Sequence, residues 1–392
     1  MGFVDISDLA FPWDVLEPFG DLARSHEGGI VDLSVGTPVD PTPQVLRDAL
    51  TAAADSHGYP LTYGTPDLRE AIAQWFARRR AVPGLDPRNV LPTIGSKELV
   101  ALLPAMLSLG EGDVVVHPRI AYPTYDVGAR VAGATPFAAD DVEQWRGNDR
   151  VKLVWINSPG NPTGRVLSVA QLREIVSAAR EVGALVISDE CYAELGWSDE
   201  YADGGVPSLL DPRVTDGNTD GLLVTYSLSK QSNLAGYRAA FVAGDGSVVG
   251  ALLALRKHLG MIVPGPVQHA MAVALRDDEH VRVQREVYRR RRNVLLAAVE
   301  GAGLTISDSQ AGLYLWATAD ASWDLTESTQ ELVLQAQSVM PGKCWATVGY
   351  LAERGILAAP GAFYGDAGTS HVRIALTATD ERIEAAAQRL RS

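Results

Sequence analysis

The sequence is poor in several features that would point to particular classes of protein. Its 392 residues include two cysteines, Cys191 and Cys344, which are too few for a disulfide framework or a structural zinc site. Apolar runs such as 248–255 are far too short to span a bilayer. The first residues show no signal-peptide pattern. We therefore expect a cytoplasmic protein with free thiols, no membrane partner and no metal site.

Positive charge is also scarce. Lys and Arg number 34 against 48 Asp and Glu, which leaves a formal net charge of −14. Such a surface repels phosphates, so no nucleic-acid partner is expected. Lysine occurs only at positions 97, 152, 230, 257 and 343. Lys230 stands out because it lies in a loop of small residues between serines, although most lysines are surface charges.

The length and the hydrophobic pattern predict two domains, because 392 residues exceed the usual size of one core. From about residue 90, short β-branched runs alternate with amphipathic helices, which favours a largely parallel sheet covered on both faces. The pattern changes after about residue 270, where a long arginine-rich helix leads into a smaller α+β region. We predict an N-terminal arm and part of the small domain at 1–40, a large domain at 41–275 and a small domain at 276–392.

Individual elements follow from periodicity and capping residues. The predicted strands are 30–35, 90–93, 114–117, 153–157, 184–188, 222–226, 238–243, 313–317 and 371–376. The predicted helices are 43–55, 66–80, 96–109, 121–132, 168–182, 277–299, 344–354 and 380–390.

Polar residues follow several predicted strands at the carboxyl end, where α/β folds place their sites. Asp189 ends one strand, and the string Ser158-Pro159-Gly160-Asn161-Pro162-Thr163-Gly164 follows another. Lys230 closes Thr225-Tyr226-Ser227-Leu228-Ser229-Lys230, with Arg238 eight residues on. Each string alone has an ordinary explanation as a turn or cap. Arg373 interrupts an apolar strand and needs either solvent or a carboxylate partner.

In this order, the strings resemble those of fold-type I enzymes that use pyridoxal 5′-phosphate (PLP), in the class I/II aspartate aminotransferase superfamily. The resemblance covers nearly the whole chain and is specific jointly. It implies an α/β large domain, with a mostly parallel mixed sheet flanked by helices, and a smaller α+β domain. It also implies that Lys230 holds PLP as a Schiff base and later carries a proton.

Roles for other residues come from the same resemblance. Asp189 would pair with the pyridine nitrogen, and Tyr192 and Asn161 would donate to the ring oxygen O3′. Tyr122 would lie on the ring face; core packing is the alternative there, and Tyr125 is the better candidate for that duty. The phosphate would be held by residues that offer hydroxyl or cationic donors: Ser96, Lys97, Ser227, Ser229 and Arg238.

Substrate residues are also implied. Arg373 would grip the substrate α-carboxylate, with Gly36 and Asn161 nearby. Tyr59 would reach the phosphate of a neighbouring subunit, which predicts a homodimer with shared active sites.

Within the superfamily, the sequence looks most like actinobacterial succinyldiaminopimelate aminotransferases of lysine biosynthesis. The strings concerned are Phe11-Pro12-Trp13-Asp14, residues 33–38, residues 311–316 and residues 359–365. The implied reaction moves an amino group from glutamate, leaving 2-oxoglutarate, to N-succinyl-2-amino-6-ketopimelate. Because both substrates are multiply anionic, a second cationic group is expected, with Lys97, Arg24 and His26 as candidates.

Other readings stay open at this point. The same scaffold also serves aminotransferases for aspartate, alanine or aromatic amino acids, and PLP-dependent lyases that act on C–S bonds or at the β-carbon. A ligand-sensing regulator is disfavoured because no basic DNA-binding segment precedes the motifs.

Overall fold

The computed structural model describes residues 12–320 and 322–391, so Phe11 of the N-terminal string lies outside it. The larger helices are α1 (Pro12–Ser25), α2 (Gln44–Ala52), α3 (Pro66–Arg79), α4 (Ser96–Met106), α5 (Thr124–Ala132), α6 (Val169–Val182), α7 (Pro212–Thr215), α8 (Gly246–Leu259), α9 (Gly265–Arg276), α10 (Asp278–Gly301), α11 (Glu327–Val339), α12 (Cys344–Glu353) and α13 (Asp380–Arg391). The strands are β1 (Val31–Asp32), β2 (Val90–Ile94), β3 (Val114–His117), β4 (Thr135–Ala138), β5 (Val151–Asn157), β6 (Leu185–Asp189), β7 (Leu222–Ser227), β8 (Ala239–Gly244), β9 (Thr305–Ser307), β10 (Tyr314–Thr318), β11 (Ile356–Leu357), β12 (Ala359–Pro360) and β13 (His371–Ala375).

A seven-stranded sheet forms the centre of the larger part, in the order β2-β8-β7-β6-β5-β3-β4. Strands β7, β6, β5, β3 and β4 pair in parallel, whereas β8 is antiparallel to both of its neighbours. The carboxyl ends of β2, β3, β5, β6 and β7 therefore meet at one edge. The predicted mixed, mostly parallel sheet is confirmed.

Side chains of β5 show why both faces of this sheet are covered. Val154 and Ile156 pack into a cluster with α3, α6 and α9. Leu153 and Trp155 point the other way, into a cluster with α4, α5 and α8. Because successive strand residues alternate between faces, an unbroken apolar strand requires helices on both sides.

The smaller part is built around an antiparallel sheet in the order β12-β13-β10-β9. Helix α1 packs here, with the Phe19 ring stacked 5.5 Å from that of Trp345 on α12. Strand β1 pairs in parallel with β11, so the segment after α1 contacts the C-terminal region. Our domain boundaries at residues 40 and 275 stay a prediction.

Several predicted boundaries differ from the structure, and two of the differences have a clear physical reason. The strand predicted at 30–35 has only two residues, because the carbonyls of Ser34, Val35 and Gly36 accept hydrogen bonds from Arg373, Thr377 and Lys230 side chains instead of from a strand. The helix predicted from residue 121 begins at Thr124, since a residue that precedes proline, here Tyr122, is disfavoured in the α conformation.

The elements that were not predicted from the sequence are helices α1, α7, α8, α9 and α11 and strands β4, β9, β11 and β12. In residues 12–320 and 322–391, no helix is both long and apolar enough to cross a membrane.

A buried ion pair ties the larger part together beneath the sheet edge. Arg80 donates to the Glu190 carboxylate (2.8 Å) and to the Val206 carbonyl (2.9 Å), and both charged side chains are almost fully buried. The other Glu190 oxygen accepts from the Ser208 hydroxyl at 3.1 Å and the Leu209 N–H at 2.8 Å. Every oxygen of this carboxylate is therefore matched, as burial of a charge requires.

Breaking this pair should destabilise the protein strongly. Arg80→Met leaves the Glu190 carboxylate buried without a counter-charge, so the free energy of unfolding should fall by about 3 kcal/mol or more. Arg173→Met is the matched control, because it breaks a bidentate pair with Asp216 that lies in solvent. Urea unfolding followed by circular dichroism measures both. A loss in Arg80→Met no larger than in the control contradicts the assignment.

Candidate active site

The predicted site residues converge because their segments end at one edge of the seven-stranded sheet. Register pairing sets Asn157 of β5 beside Asp189 of β6, and Asp189 beside Thr225 of β7. Strand β8 runs the opposite way, so its amino end, preceded by Arg238, lies at the same edge. Residues far apart in the sequence therefore meet here.

Lys230 lies three residues beyond the end of β7. Its ammonium donates a hydrogen bond to the Gly36 carbonyl, on the segment that follows β1. Burial lowers the pKa of Lys230, and the nearby charges of Arg373 and Arg238 lower it further, against the opposing effects of Tyr314 and Cys191. A lowered pKa increases the share of neutral amine, which is the nucleophilic form.

Asp189 is a buried carboxylate at the end of β6. The Tyr125 hydroxyl donates to its Oδ2 at 2.9 Å, and the Cys191 N–H donates to its Oδ1 at 3.2 Å. Burial raises the pKa of Asp189, although these hydrogen bonds oppose the rise. In the described part of the chain it forms no ion pair, so it is available to a cationic group of a ligand.

The turn after β5 is fixed by one side chain. Asn157 donates to the carbonyls of Asp189 (2.9 Å) and Pro159 (3.1 Å) and accepts from the Asn161 N–H at 2.7 Å. This orients Asn161 so that its side-chain oxygen accepts from Arg373 at 3.1 Å. The proline-rich turn is thus locked to the strand that carries Asp189.

Arg373 is buried, so the solvent-face explanation for it is wrong. Besides the bond to Asn161, it donates to the Ser34 carbonyl at 2.6 Å. Its guanidinium carbon lies 4.1 Å from the centre of the Tyr314 ring and 4.9 Å from that of Tyr364. Among residues 12–320 and 322–391, no carboxylate pairs with it.

The predicted phosphate residues form a second group at the edge. Ser96 begins α4, and the preceding Gly95 has a positive φ of 73°. The positive φ favours glycine at this position, and a Cβ there would displace the Arg238 guanidinium from its place against the loop. The hydroxyls of Ser227 and Ser229 lie 2.8 Å apart.

Tyr122 and Lys97 also adjoin this group. Tyr122 is partly buried, with its ring edge-on to that of Tyr125 at 6.4 Å. The Lys97 ammonium lies 5.6 Å from the centre of the Tyr122 ring. Lys97 is exposed, so its charge can reach a bound ligand.

Three predicted residues are not brought into the site. Tyr59 is fully exposed, and its role in the site of a neighbouring subunit stays a prediction. Arg24 pairs with Asp21 on its own helix. His26 accepts from the Gly28 N–H at 3.0 Å and lies beside Gly355. Of the three candidates for a second cationic group, the structure brings only Lys97 next to the other site residues.

Three tyrosines of the site were missed by sequence reasoning. Tyr125 does lie in the core, against Trp155, but its hydroxyl also binds Asp189. Tyr314 and Tyr364 flank Arg373. Inward positions on strands and helices give the same pattern whether a tyrosine fills space or presents its hydroxyl. Only the spacing of Tyr125 from Tyr122, one helical turn, offered a signal.

These residues fit PLP in kind and number. A lysine with a lowered pKa suits an aldehyde, and a buried carboxylate without an ion pair suits a protonated pyridine nitrogen. Gly95, with the Arg238 guanidinium packed against it, lies directly before the N-terminus of α4. The guanidinium and the free N–H groups of the helix are donors that fit a phosphate.

Comparison with known proteins identifies the same chemistry. The family model described as aminotransferase class I and II matches residues 29–390. The 4-dedimethylamino-4-oxo-anhydrotetracycline transaminase OxyQ of Streptomyces rimosus is 54% identical over 97% of this chain and 98% of its own length. The probable aminotransferase Rv1178 of Mycobacterium tuberculosis is 51% identical over 99% of this chain and 87% of its own length.

Among solved structures, the probable N-succinyldiaminopimelate aminotransferase from Thermus thermophilus is 30% identical. The match covers 97% of this chain and 99% of that chain, with a TM-score of 0.81.

Removing the Tyr125 hydroxyl should weaken cofactor binding. Tyr125→Phe deletes a hydrogen bond that favours ionised Asp189, so the pKa of Asp189 should rise further and the dissociation constant for PLP should increase about tenfold. Titration of the cofactor-free protein with PLP measures this. Tyr63→Phe is the control, since it also loses one hydroxyl bond of 2.9 Å, to the Arg88 carbonyl. Equal constants for the two variants refute the role.

Proposed function

The chain belongs to the class I and II aminotransferase family, and we propose that it transfers an amino group between glutamate and N-succinyl-2-amino-6-ketopimelate. The products are 2-oxoglutarate and N-succinyl-L,L-2,6-diaminopimelate, and the reaction is reversible. That the enzyme is a PLP-dependent aminotransferase follows from the family. The choice of substrate, and with it a place in lysine biosynthesis, is our proposal.

The observation that carries the proposal is the buried guanidinium of Arg373. In the described part of the chain it has no carboxylate partner, and its Nε has no hydrogen-bond acceptor. A buried cation without a counter-charge is costly. An amino-acid or oxo-acid carboxylate supplies that charge and can bind a guanidinium in a bidentate manner. Held in this way, the substrate Cα has a fixed position relative to Lys230.

Lys230 supplies the proton transfers. Bound PLP contributes an electron sink that makes the substrate Cα–H bond acidic. The neutral amine of Lys230, favoured by burial, accepts that proton and can return it on the way to product. Asp189 keeps the pyridine nitrogen protonated through its negative charge.

Two observations support a substrate with a second anionic group. The Thermus thermophilus structure of the same fold is named for N-succinyldiaminopimelate, and Lys97 presents an exposed charge beside Tyr122. A second candidate comes from the 54% identity with a protein named for 4-dedimethylamino-4-oxo-anhydrotetracycline. That substrate bears its ketone on a fused ring system, so we also consider a cyclic ketone as the amino acceptor.

We further propose a cytoplasmic homodimer. Tyr59 and Leu61 are exposed to 100% and 55%, and Leu259 to 53%. We propose that these side chains contribute to a contact with a second copy of the chain. A second copy would bury them and bring Tyr59 to the phosphate group of the neighbouring site.

Loss of Lys230 should abolish the visible absorbance of the bound cofactor. Lys230→Ala removes the amine that binds the aldehyde, so the spectrum should revert to that of free or absent PLP and transamination should cease. Lys257→Ala, at an exposed position of α8, is the control and should keep both. The absorbance spectra of the purified proteins, with circular dichroism to verify folding, decide the matter. If Lys230→Ala keeps the absorbance, the assignment of Lys230 as the residue that binds the cofactor aldehyde is wrong.

Substrate profiling tests the finer proposal. With 2-oxoglutarate as acceptor, kcat/KM for N-succinyl-L,L-2,6-diaminopimelate should exceed that for alanine, aspartate or phenylalanine by about tenfold or more. Alanine and phenylalanine lack a second anionic group, and the second carboxylate of aspartate lies only one methylene from Cα, much closer than the distal carboxylates of the proposed substrate. Preference for one of the other amino acids contradicts it. A polycyclic ketone offered with glutamate tests the second candidate. Release of ammonia and pyruvate, without conversion of the cofactor to its amine form, would instead indicate a lyase.

A further inference from the structure

Tyr314 occupies a central position that the roles described so far do not use. It is buried at the start of β10, and its hydroxyl lies 3.2 Å from that of Tyr192. One face of its ring lies against the Arg373 guanidinium, 4.1 Å away. A Cβ at Gly36 would clash with the Tyr314 oxygen. Tyr314 thus touches the carboxylate-binding arginine, the segment that contacts Lys230, and Tyr192.

The two hydroxyls of this pair differ in their electrostatic surroundings. Burial acts to raise the pKa of both phenols, but the positive charges of Arg373 and Lys230 outweigh it at Tyr314 and lower its pKa, whereas the pKa of Tyr192 stays raised. The distance allows either hydroxyl to donate. The arrangement in which Tyr314 donates to the Tyr192 oxygen leaves the Tyr192 proton free for a third group.

We propose that Tyr314 is a positioning residue, which fixes the Tyr192 hydroxyl as a hydrogen-bond donor to the ring oxygen of the cofactor. The inference rests on the proposed cofactor site, in which Tyr192 faces that oxygen. A hydroxyl that accepts one hydrogen bond becomes a stronger donor of another. The Tyr192 bond stabilises the anionic form of the ring oxygen, and Tyr314 strengthens this effect without touching the cofactor.

The consequence is a measurable change in cofactor titration. Tyr314→Phe keeps the ring against Arg373 and removes only the hydroxyl. The ring oxygen then loses part of its stabilisation as an anion, so the pH midpoint of the visible absorbance change should rise by about half a unit. Spectra of the PLP-loaded protein recorded across pH give the midpoint directly.

Two further variants separate the proposed route from general electrostatics. Tyr364→Phe removes a hydroxyl from the other ring that flanks Arg373 and should leave the midpoint unchanged. In a Tyr192→Phe background, Tyr314→Phe should cause no additional rise, because the bond that transmits the effect is already absent. An unchanged or lowered midpoint in Tyr314→Phe, an equal rise in Tyr364→Phe, or a full additional rise in the double variant each overturns the inference.

A second perturbation covers the case in which Tyr314→Phe does not fold. Gly36→Ala places a methyl group against the Tyr314 hydroxyl and displaces it from Tyr192, so the midpoint should rise as well; no rise would contradict the inference. The visible absorbance itself reports the cofactor site. If the unaltered protein shows no visible absorbance with PLP, the proposed cofactor site is wrong. If the unaltered protein titrates normally and these variants do not change its midpoint, only the proposed role of Tyr314 is wrong.

Discussion

Unpaired buried charge at the carboxyl edge of the central sheet is the constraint on which the site depends. Asp189 and Arg373 are buried and Lys230 partly so, and none of them forms an ion pair within residues 12–320 and 322–391. Such charges cost several kcal/mol of stability each unless something complements them. In the function proposed above, a protonated pyridine nitrogen would complement Asp189 and a substrate carboxylate would complement Arg373, whereas an aldehyde would react with the neutral amine of Lys230. On that proposal, cofactor and substrate relieve the cost of the two buried charges.

Other buried charges in the same protein behave differently. Arg80 pairs with Glu190, Arg79 with Glu194, and Arg256 with Glu98, each across a long stretch of sequence. Arg80 and Arg79 tie the end of α3 to the segment after β6, and Arg256 ties α8 to α4, so these pairs need no ligand. The presence or absence of a protein partner therefore separates structural charges from functional ones, where burial alone does not.

Much of this arrangement was predictable from the sequence, and what was not has a physical reason. Asp189, Asn161 and Lys230 follow predicted strands, and parallel strands bring their carboxyl ends together, so local patterns were sufficient. The site roles of Tyr125 and Tyr314 were not predicted, because a buried tyrosine has the same periodicity whether or not its hydroxyl forms a functional contact. The early end of β1 was not predicted, because the segment that follows β1 accepts hydrogen bonds from side chains that lie more than 190 residues away in the sequence. No local pattern contains that information.

Adjacent residues at the end of β6 show how closely structure and function are joined. Asp189 and Glu190 are consecutive acids, yet the side chain of Asp189 binds Tyr125 on one side of the sheet and that of Glu190 binds Arg80 on the other. Alternation along an extended strand sends them in opposite directions. The ion pair of Glu190 fixes the backbone at the strand end, and this fixes where the Asp189 carboxylate points. A one-residue shift in the register of β6 that brought Glu190 to the position of Asp189 would leave Arg80 facing Cys191 instead of a carboxylate, so the buried ion pair opposes such a shift. The stability of the Arg80–Glu190 ion pair thus helps to keep the Asp189 carboxylate in its position.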